Sequence, residues 1–192
     1  MERDGIVSGK YKEISEQTRQ NFIDAFWQLY EKKDINKIKV QEICDIAGYH
    51  RNTFYHYFTD VYDVLNQIED RIIDELMAKS GFGSMSYEGG ESAKRFAEVY
   101  EKNKKYLQIL ADEEKEPGFS ARMKKRLKPF YDEKFTFTEN DVKNAYIHEY
   151  KLSGSLAAIM YYFREGEKLS LEEVLNLVLE LDNSGKWQMK YN

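Results

Sequence analysis

The chain has 192 residues, of which 42% are hydrophobic, 33% are charged and 15% are aromatic, and its formal net charge is −5. The apolar content is too high for a disordered chain, and the length suits one or two compact domains. The longest unbroken apolar run, 156–163, is far shorter than the roughly 20 residues that cross a bilayer. The single cysteine, Cys44, excludes an internal disulfide framework and a cysteine-based zinc site.

Two further features concern location and partners. The first 15 residues are polar and lack the apolar stretch of a signal peptide, so we expect a cytoplasmic protein without a membrane partner. The mild acidity argues against non-specific coating of nucleic acid, but not against a small DNA-reading face, because the local field decides. Residues 10–60 carry equal numbers of basic and acidic side chains, so they form no basic patch.

Apolar residues recur at helical spacing along the chain, and no alternating run of strand length stands out, which predicts an all-α fold. Ser15 is expected to cap a first helix that carries Phe22, Phe26 and Leu29 on one face. A second short helix is expected from about residue 40, with Gly48 at its end in a left-handed conformation. A third is expected over 51–58.

Asp60 is expected to cap a long fourth helix that runs to about residue 79. The Gly- and Ser-rich stretch 80–90 predicts a connection, followed by helices at about 91–111, 119–131, 139–163 and 171–184. Ser170 and Glu173 predict a capping box before the last of these. We therefore expect an N-terminal domain over 1–60, with helix 61–79 as connector, and a C-terminal helical domain over 61–192.

The segment 40–58, VQEICDIAGYHRNTFYHYF, has the pattern of a helix-turn-helix. Two short helices flank a tight turn with a glycine, and neither is apolar enough to be stable alone. A small core shared with the first helix is predicted from Phe22, Phe26, Leu29, Ile43, Ala47, Phe54 and Phe58. The second helix of such a pair enters the DNA major groove, where arginine grips guanine and asparagine grips adenine.

The order of residues in this segment resembles the TetR/AcrR family of transcriptional regulators. The resemblance covers about 15–70 and rests on Ile43, Ala47–Gly48, the string 53–58 (TFYHYF), and Leu65 in the next helix. It implies an all-helical homodimer whose first three helices bind a double-stranded DNA operator. It further implies C-terminal helices that form a dimer core and often an effector pocket, and usually repression that a small molecule relieves.

The resemblance also assigns DNA-contact positions. Arg51, Asn52 and Tyr55 fall on base-reading positions. The alternative for Arg51 and Asn52 is an ordinary solvated residue, and the alternative for Tyr55 and Thr53 is a core or cap residue. Thr53 and His56 fall on phosphate-contact positions, and Tyr57 is a further phosphate candidate. Gln41 falls where the family often makes another base or phosphate contact, and His50 is available at the start of the recognition helix.

Three departures from the family pattern concern phosphate contacts and caps. Val40 replaces a capping threonine, His50 replaces a serine that caps the recognition helix, and Val61 replaces a phosphate-binding lysine. Lys37 and Lys39 are candidates to compensate. The salt slope is the slope of the logarithm of the binding constant against the logarithm of the salt concentration, and each lost phosphate contact lowers its magnitude by about one. Modest DNA affinity is therefore expected.

Small residues and an apolar stripe mark the last two predicted helices. They form either an intramolecular core or a two-fold four-helix interface, and we favour the interface because a two-fold operator needs a two-fold protein. The predicted interface residues are Ser153, Gly154, Ala157, Val174, Val178 and Leu181.

Control of the regulator has two interpretations. Phe130, Tyr131, Tyr146 and Tyr150 either line a pocket for a small-molecule effector or form plain core. The C-terminal pattern 153–173 weakly resembles a subgroup that regulates dihydroxyacetone-kinase operons, which implies control by a protein partner. Both remain open.

Catalysis finds no support in the sequence. His50 and His56 lie in the DNA-reading segment, and His148 lacks the i, i+4 partner of a helical metal pair. No Gly-rich phosphate loop and no G-x-S-x-G motif occurs. We therefore expect a protein that is not an enzyme and uses no cofactor or metal.

Overall fold

The structure is a computed structural model that describes residues 2–79, 91–134, 142–166 and 168–183. In these ranges the regular structure is helical and contains no strand, which confirms the predicted all-α fold. The helices are α1 Glu2–Tyr30, α2 Val40–Ala47, α3 Arg51–Phe54, α4 Val61–Lys79, α5 Glu91–Leu110, α6 Phe119–Lys134, α7 Val142–Glu165 and α8 Leu171–Asn183, with a 3-10 turn at Ile35–Lys37.

Several helix ends follow local signals in the sequence. Gly48 ends α2 with φ of 76°, in the left-handed region. The Asp60 carboxylate accepts a hydrogen bond from the Asp63 N–H at 2.8 Å, as expected of a cap. Ser170 and Glu173 form the predicted capping box, in which each backbone N–H donates to the other side chain, at 2.7 and 3.2 Å.

Two predicted boundaries are wrong. The first helix begins at Glu2 rather than after Ser15, because adding turns to an already packed helix costs far less than starting one. The third helix ends at Phe54 rather than at Phe58. After α3, the His56 and Tyr57 N–H groups donate to carbonyls three residues back, as in a 3-10 turn. The Phe58 N–H donates to the carbonyl four residues back. This tighter turn carries Phe58 into the core.

The described chain divides into two compact units, Met1–Asp70 and Arg71–Asn192. The division falls inside α4, the helix that the sequence marks as a connector. The functional division into a reading domain and a regulatory domain stays a prediction.

The core of the first unit is a cluster of aromatic rings centred on Phe22 of α1. The Phe22 ring lies 5.4 Å from Phe54 at 89° and 6.3 Å from Phe58 at 85°, both edge-to-face. Phe26 and Ile43 are fully buried with them, and Leu29 and Ala47 are half-buried. The predicted core is thus confirmed for five of its seven residues. Cys44 is buried beside it.

The second unit has its own aromatic core. Phe163 of α7 stacks on Tyr100 of α5 at 5.0 Å and 11°, and lies 6.4 Å from Phe96. Helices α7 and α8 are joined by a buried polar contact, in which the Ser155 hydroxyl lies 3.1 Å from each oxygen of the Asp182 carboxylate. This contact fixes the register of α7 against α8. Among the described helices, none is long and apolar enough to cross a membrane.

Gly48 provides a test of the tight turn between α2 and α3. A β-carbon at this position would meet no atom within 4 Å, so a substitution is limited by backbone conformation alone. Gly48→Ala should lower the free energy of unfolding by about 1 kcal/mol, because alanine disfavours positive φ. The measurement is urea denaturation followed by circular dichroism.

The control for this test is Gly48→Asn. Asparagine adopts the left-handed conformation more readily than alanine, so its loss should be smaller. An alanine variant as stable as the asparagine variant would contradict the assigned conformation.

Candidate nucleic-acid interface

Helix α3 has a single turn, and it divides its residues between the core and the surface. Phe54 is fully buried against Phe22, whereas Arg51, Asn52 and Tyr55 are exposed. The aromatic anchor therefore fixes which way the other three point. The structure thus brings the three predicted base-reading residues together on one exposed surface; their contact with DNA stays a prediction.

Arg51 and Tyr55 are joined at this surface. The Arg51 guanidinium donates a hydrogen bond to the Tyr55 hydroxyl at 3.3 Å, and this bond raises the pKa of Arg51. Tyr55 remains 49% exposed. The guanidinium is held beside the phenol, and its remaining N–H groups are available for a planar acceptor.

His50 occupies the N-cap position of α3, where the family pattern has a serine, and its imidazole makes no capping hydrogen bond. The helix begins instead through the His50 carbonyl, which accepts from Thr53 at 2.9 Å and from Phe54 at 3.2 Å. The imidazoles of His50 and His56 are both exposed, so they flank the outward side of α3.

Thr53 and Tyr57 are half-buried, unlike the other candidates. The Tyr57 hydroxyl lies 3.2 Å from Ser15 Oγ, and its ring centroid lies 6.2 Å from that of Phe22. Tyr57 therefore holds residues 51–58, which we call the recognition segment, against α1. It also presents one edge of its ring at the surface.

The start of α2 has no capping threonine at position 40 and is stabilised by other contacts. Lys39 is the N-cap residue, and its backbone N–H donates to the Glu42 carboxylate at 2.9 Å. The Lys33 ammonium group donates to both oxygens of that carboxylate, at 2.7 and 2.8 Å. Those bonds from Lys33 and from the Lys39 backbone lower the pKa of Glu42.

These contacts leave few cations for phosphate. Lys33 is paired with Glu42, whereas Lys37 and Lys39 are exposed. Gln41 is exposed, and its amide donates to Asp45 at 2.8 Å. The first unit, Met1–Asp70, which we call the head, therefore presents more neutral hydrogen-bonding groups than positive charges around α3.

Further residues that position the turn and the exit of α3 carried no sequence signal, because their partners are distant along the chain. The Asn21 amide donates to the Tyr49 hydroxyl at 3.1 Å, which ties the turn before α3 to α1. Arg19 of α1 donates to the Gln67 side chain, which donates in turn to the Tyr57 carbonyl. Residues 19 and 67 are 48 positions apart, so no local pattern could pair them.

The predicted interface residues of α7 and α8 separate into three groups by burial. Gly154, Ala157 and Leu181 are exposed, and Ser153 and Val174 are half-buried. Val178 is only 8% exposed, so its assignment to the interface is corrected: it lies on the buried α8 face with Leu171 and Leu175. Whether the exposed residues meet a second chain stays a prediction.

The predicted effector pocket is also corrected in part. Tyr146 and Tyr150 are 74% and 60% exposed on α7, so they enclose no ligand within the unit. They lie on the same face of α7 as Ala157, opposite the face that carries Phe163. The side chains of Phe130 and Tyr131 lie outside the described residues.

A cavity of about 460 Å³ does occur in the second unit, at a different place. It is lined by α6, α7 and the segment between α5 and α6, through Ala111, Glu113, Ser120, Ala121, Lys124, Ser153, Leu156, Ala157, Met160, Tyr161 and Arg164. Its lining is apolar at Leu156 and Met160 and carries Glu113 as well as Lys124 and Arg164, which pair with Glu149 and Glu165. Among the described residues, no group of three His, Cys, Asp or Glu side chains could hold a metal ion.

Comparison with known proteins bears on the fold. No protein-family model matches the chain, and no curated protein matches it significantly. Solved structures do match. A TetR transcriptional regulator from Streptococcus agalactiae 2603V is 19% identical, over 91% of this chain and 98% of its own, with a TM-score of 0.65.

Two other solved structures agree with this match. The dihydroxyacetone kinase operon activator DhaS is 19% identical, over 87% of this chain and 94% of its own, with a TM-score of 0.56. A TetR-family transcriptional regulator from Streptomyces coelicolor is 14% identical, over 87% and 79%, with a TM-score of 0.59. The chain therefore has the fold of TetR-family regulators, a helix-turn-helix head followed by a helical unit.

The lowered pKa of Glu42 predicts a pH dependence of stability. Its ionised form is stabilised in the folded state, so the contribution is present above the ordinary value of 4.5 and is lost as the pH falls through the lowered folded value. The stability difference between the wild type and Glu42→Gln should therefore be largest at neutral pH and should shrink as the pH falls below 4.5. Denaturation across this pH range measures it.

The matched control is Glu31→Gln, at an exposed carboxylate of the same unit. It should show a small difference that hardly changes with pH. A Glu42 difference that persists undiminished in acid would rule out the ion pair as its source.

Proposed function

We propose that this protein is a transcriptional regulator that binds a two-fold DNA operator as a homodimer, with α2 and α3 as the helix-turn-helix and α3 in the major groove. The observation that carries the proposal is the outward presentation of Arg51, Asn52 and Tyr55 by a one-turn helix whose fourth residue is anchored in the core. Such a turn at the N-terminal end of a recognition helix is where base edges are read.

The exposed groups have the chemistry for reading sequence. A guanidinium can donate two parallel hydrogen bonds to guanine, and a carboxamide can donate to and accept from adenine. The hydrogen bond that Arg51 donates to the Tyr55 hydroxyl limits the rotation of Arg51, so less side-chain entropy is lost on binding. Specificity is therefore assigned to Arg51 and Asn52.

Phosphate contacts are assigned to Lys39, with Gln41, His50, Thr53, His56 and Tyr57 as neutral donors around α3. With Lys39 and the neighbouring exposed Lys37 as its candidate cations and no excess of basic side chains over residues 10–60, the head should depend less on counterion release than strongly basic DNA-binding proteins do. We infer that operator binding is of modest affinity and draws a large share of its free energy from the bases.

Homodimerisation is supported by an exposed apolar face on α7 and α8. Tyr146, Tyr150 and Ala157 lie on one side of α7, and Leu177 and Leu181 are 47% and 51% exposed on α8. Large apolar side chains grouped on one surface are typical of a protein interface. Pairing α7 and α8 with their copies gives a four-helix, two-fold interface, and the small residues Ser153 and Gly154 allow close approach.

Repression through operator occupancy, relieved by a small molecule, is the regulation we propose. The cavity of about 460 Å³ is within the usual size range of ligand sites. Its apolar lining at Leu156 and Met160 favours an effector with an apolar body. Such a ligand would act by favouring a dimer whose recognition helices no longer match half-sites about 34–36 Å apart.

Control by a protein partner is the second candidate. The scarcity of free cations around α3 favours it, because a weak DNA binder gains most from additional surface. The weak resemblance of the 153–173 pattern to the subgroup that regulates dihydroxyacetone-kinase operons points in the same direction. Release of operator DNA by low-molecular-weight extract, but not by the protein fraction, would favour the small-molecule effector.

Base reading can be separated from phosphate binding by two alanine substitutions. Selection of bound DNA from a random pool should give a palindromic site for the wild type. Arg51→Ala should lose preference at one base pair of each half-site, at a cost of about 1–3 kcal/mol for that base. Lys39→Ala should weaken binding evenly across sequences and reduce the salt slope by about one per subunit. Equal weak binding by all three proteins would contradict the proposal.

The interface can be tested with a matched pair of substitutions on α8. Leu177→Lys places a charge on the exposed apolar face and should convert the dimer to monomer, with at least about a hundredfold weaker association if about 3 kcal/mol is lost. Asn176→Lys adds the same charge at the neighbouring exposed position and should leave the dimer intact. Sedimentation velocity measures both. A wild type that is monomeric at micromolar concentration would overturn the assignment.

A further inference from the structure

The Gln67 side chain of α4 connects three segments of the head. Its Oε1 accepts hydrogen bonds from Arg19 of α1, from Nη2 at 2.7 Å and from Nε at 3.2 Å. Its Nε2 donates to the Tyr57 carbonyl at 3.1 Å and to the Asp63 carboxylate at 3.2 Å. A carboxamide has two N–H donors and two acceptor lone pairs, so its whole hydrogen-bonding capacity is used.

The other groups in this network also converge on the exit of the recognition segment. Asp63 accepts from the Thr59 N–H at 2.8 Å, directly after the segment ends. The Arg19 guanidinium lies over the Phe58 ring, 5.9 Å from its centroid. The backbone from Tyr57 to Thr59 is therefore held on one side by α4 and on the other by α1.

A one-turn helix needs such external supports. Helix α3 has too few internal hydrogen bonds to fix its own axis, so its direction depends on what holds its two ends. Phe54 and Phe58 fix its depth in the core, but a ring contact permits rocking. The hydrogen bond from Gln67 to the Tyr57 carbonyl restricts that rocking in the direction of α4.

We propose that Gln67 is a positioning residue, which fixes the orientation of the recognition helix by clamping its exit to α4 and α1. This inference rests on the proposed function, and it adds a regulatory element to it. A shift of the first turns of α4 would move the Gln67 amide, break its bond to Tyr57, and release the orientation in which Arg51 and Asn52 meet base edges. DNA affinity then depends on α4 without any contact between Gln67 and DNA.

Because Gln67 is neutral, a substitution of the same length that adds a negative charge can break one part of the clamp and keep the other. Gln67→Glu keeps the length of the residue and strengthens its pairing with Arg19. It removes both N–H donors and places a carboxylate against the Tyr57 carbonyl and the Asp63 carboxylate, which repel it. The variant therefore keeps α1 joined to α4 and frees the exit of the recognition segment.

The experiment compares the wild type with Gln67→Glu and with Asn66→Asp, a control that adds the same charge at the adjacent exposed position of α4. Hydrogen exchange of the backbone over 55–59 and DNA binding are measured on the full chain. Gln67→Glu should exchange roughly tenfold faster in this segment, and its ratio of operator to random-DNA affinity should fall roughly tenfold. Asn66→Asp should leave both the exchange rate and the affinity ratio near the wild-type values.

Two further outcomes distinguish failure of the clamp from failure of the proposed function and from misfolding of the variant. If the wild type selects no DNA sequence, the proposed function fails, and exchange over 55–59 still decides whether the clamp exists. If Gln67→Glu does not fold, Gln67→Met removes the bonds without adding charge and should show the same faster exchange. Exchange and affinity ratio equal to those of Asn66→Asp would overturn the inference.

Discussion

The edge-to-face packing of Phe54 and Phe58 on Phe22 is the interaction on which the rest of this head depends. A helix of four residues has almost no stability of its own, because nearly all of it is the unfavourable nucleus. Burial of these rings supplies the free energy that orders α3. The same burial turns Arg51, Asn52 and Tyr55 outward, so the core of the head and its proposed DNA-reading surface are two sides of one turn.

Polar contacts complete what the aromatic core begins. Glu42 ties the start of α2 to Lys33, and Gln67 ties the end of the recognition segment to Arg19. Both arrangements use a cation of the head inside the protein. Under the proposed function, this use of Lys33 and Arg19 leaves less positive charge for phosphate and favours recognition through base edges over electrostatic attraction.

Sequence patterns predicted the features that depend on neighbours within one or two turns of chain. Gly48, Asp60 and the Ser170–Glu173 box ended or began helices where expected, because a cap joins atoms only a few residues apart. The same signal was wrong at Ser15, because a helix that is already packed continues past a serine. It was wrong again at the end of α3, because the position of Phe58 is set by the core rather than by its neighbours.

The amino-acid sequence alone determined the helical class, the aromatic stripe of the head and the group of residues that face outward from α3, since helical periodicity fixes which residues share a face. Tertiary structure alone decided which apolar face is covered. It buried Val178 within the second unit and exposed Tyr146 and Tyr150, although each lies in a predicted helix with apolar neighbours at helical spacing. It also brought Arg19, Tyr57 and Gln67 together. Contacts between residues tens of positions apart depend on how helices pack, and local spacing carries no information about that packing.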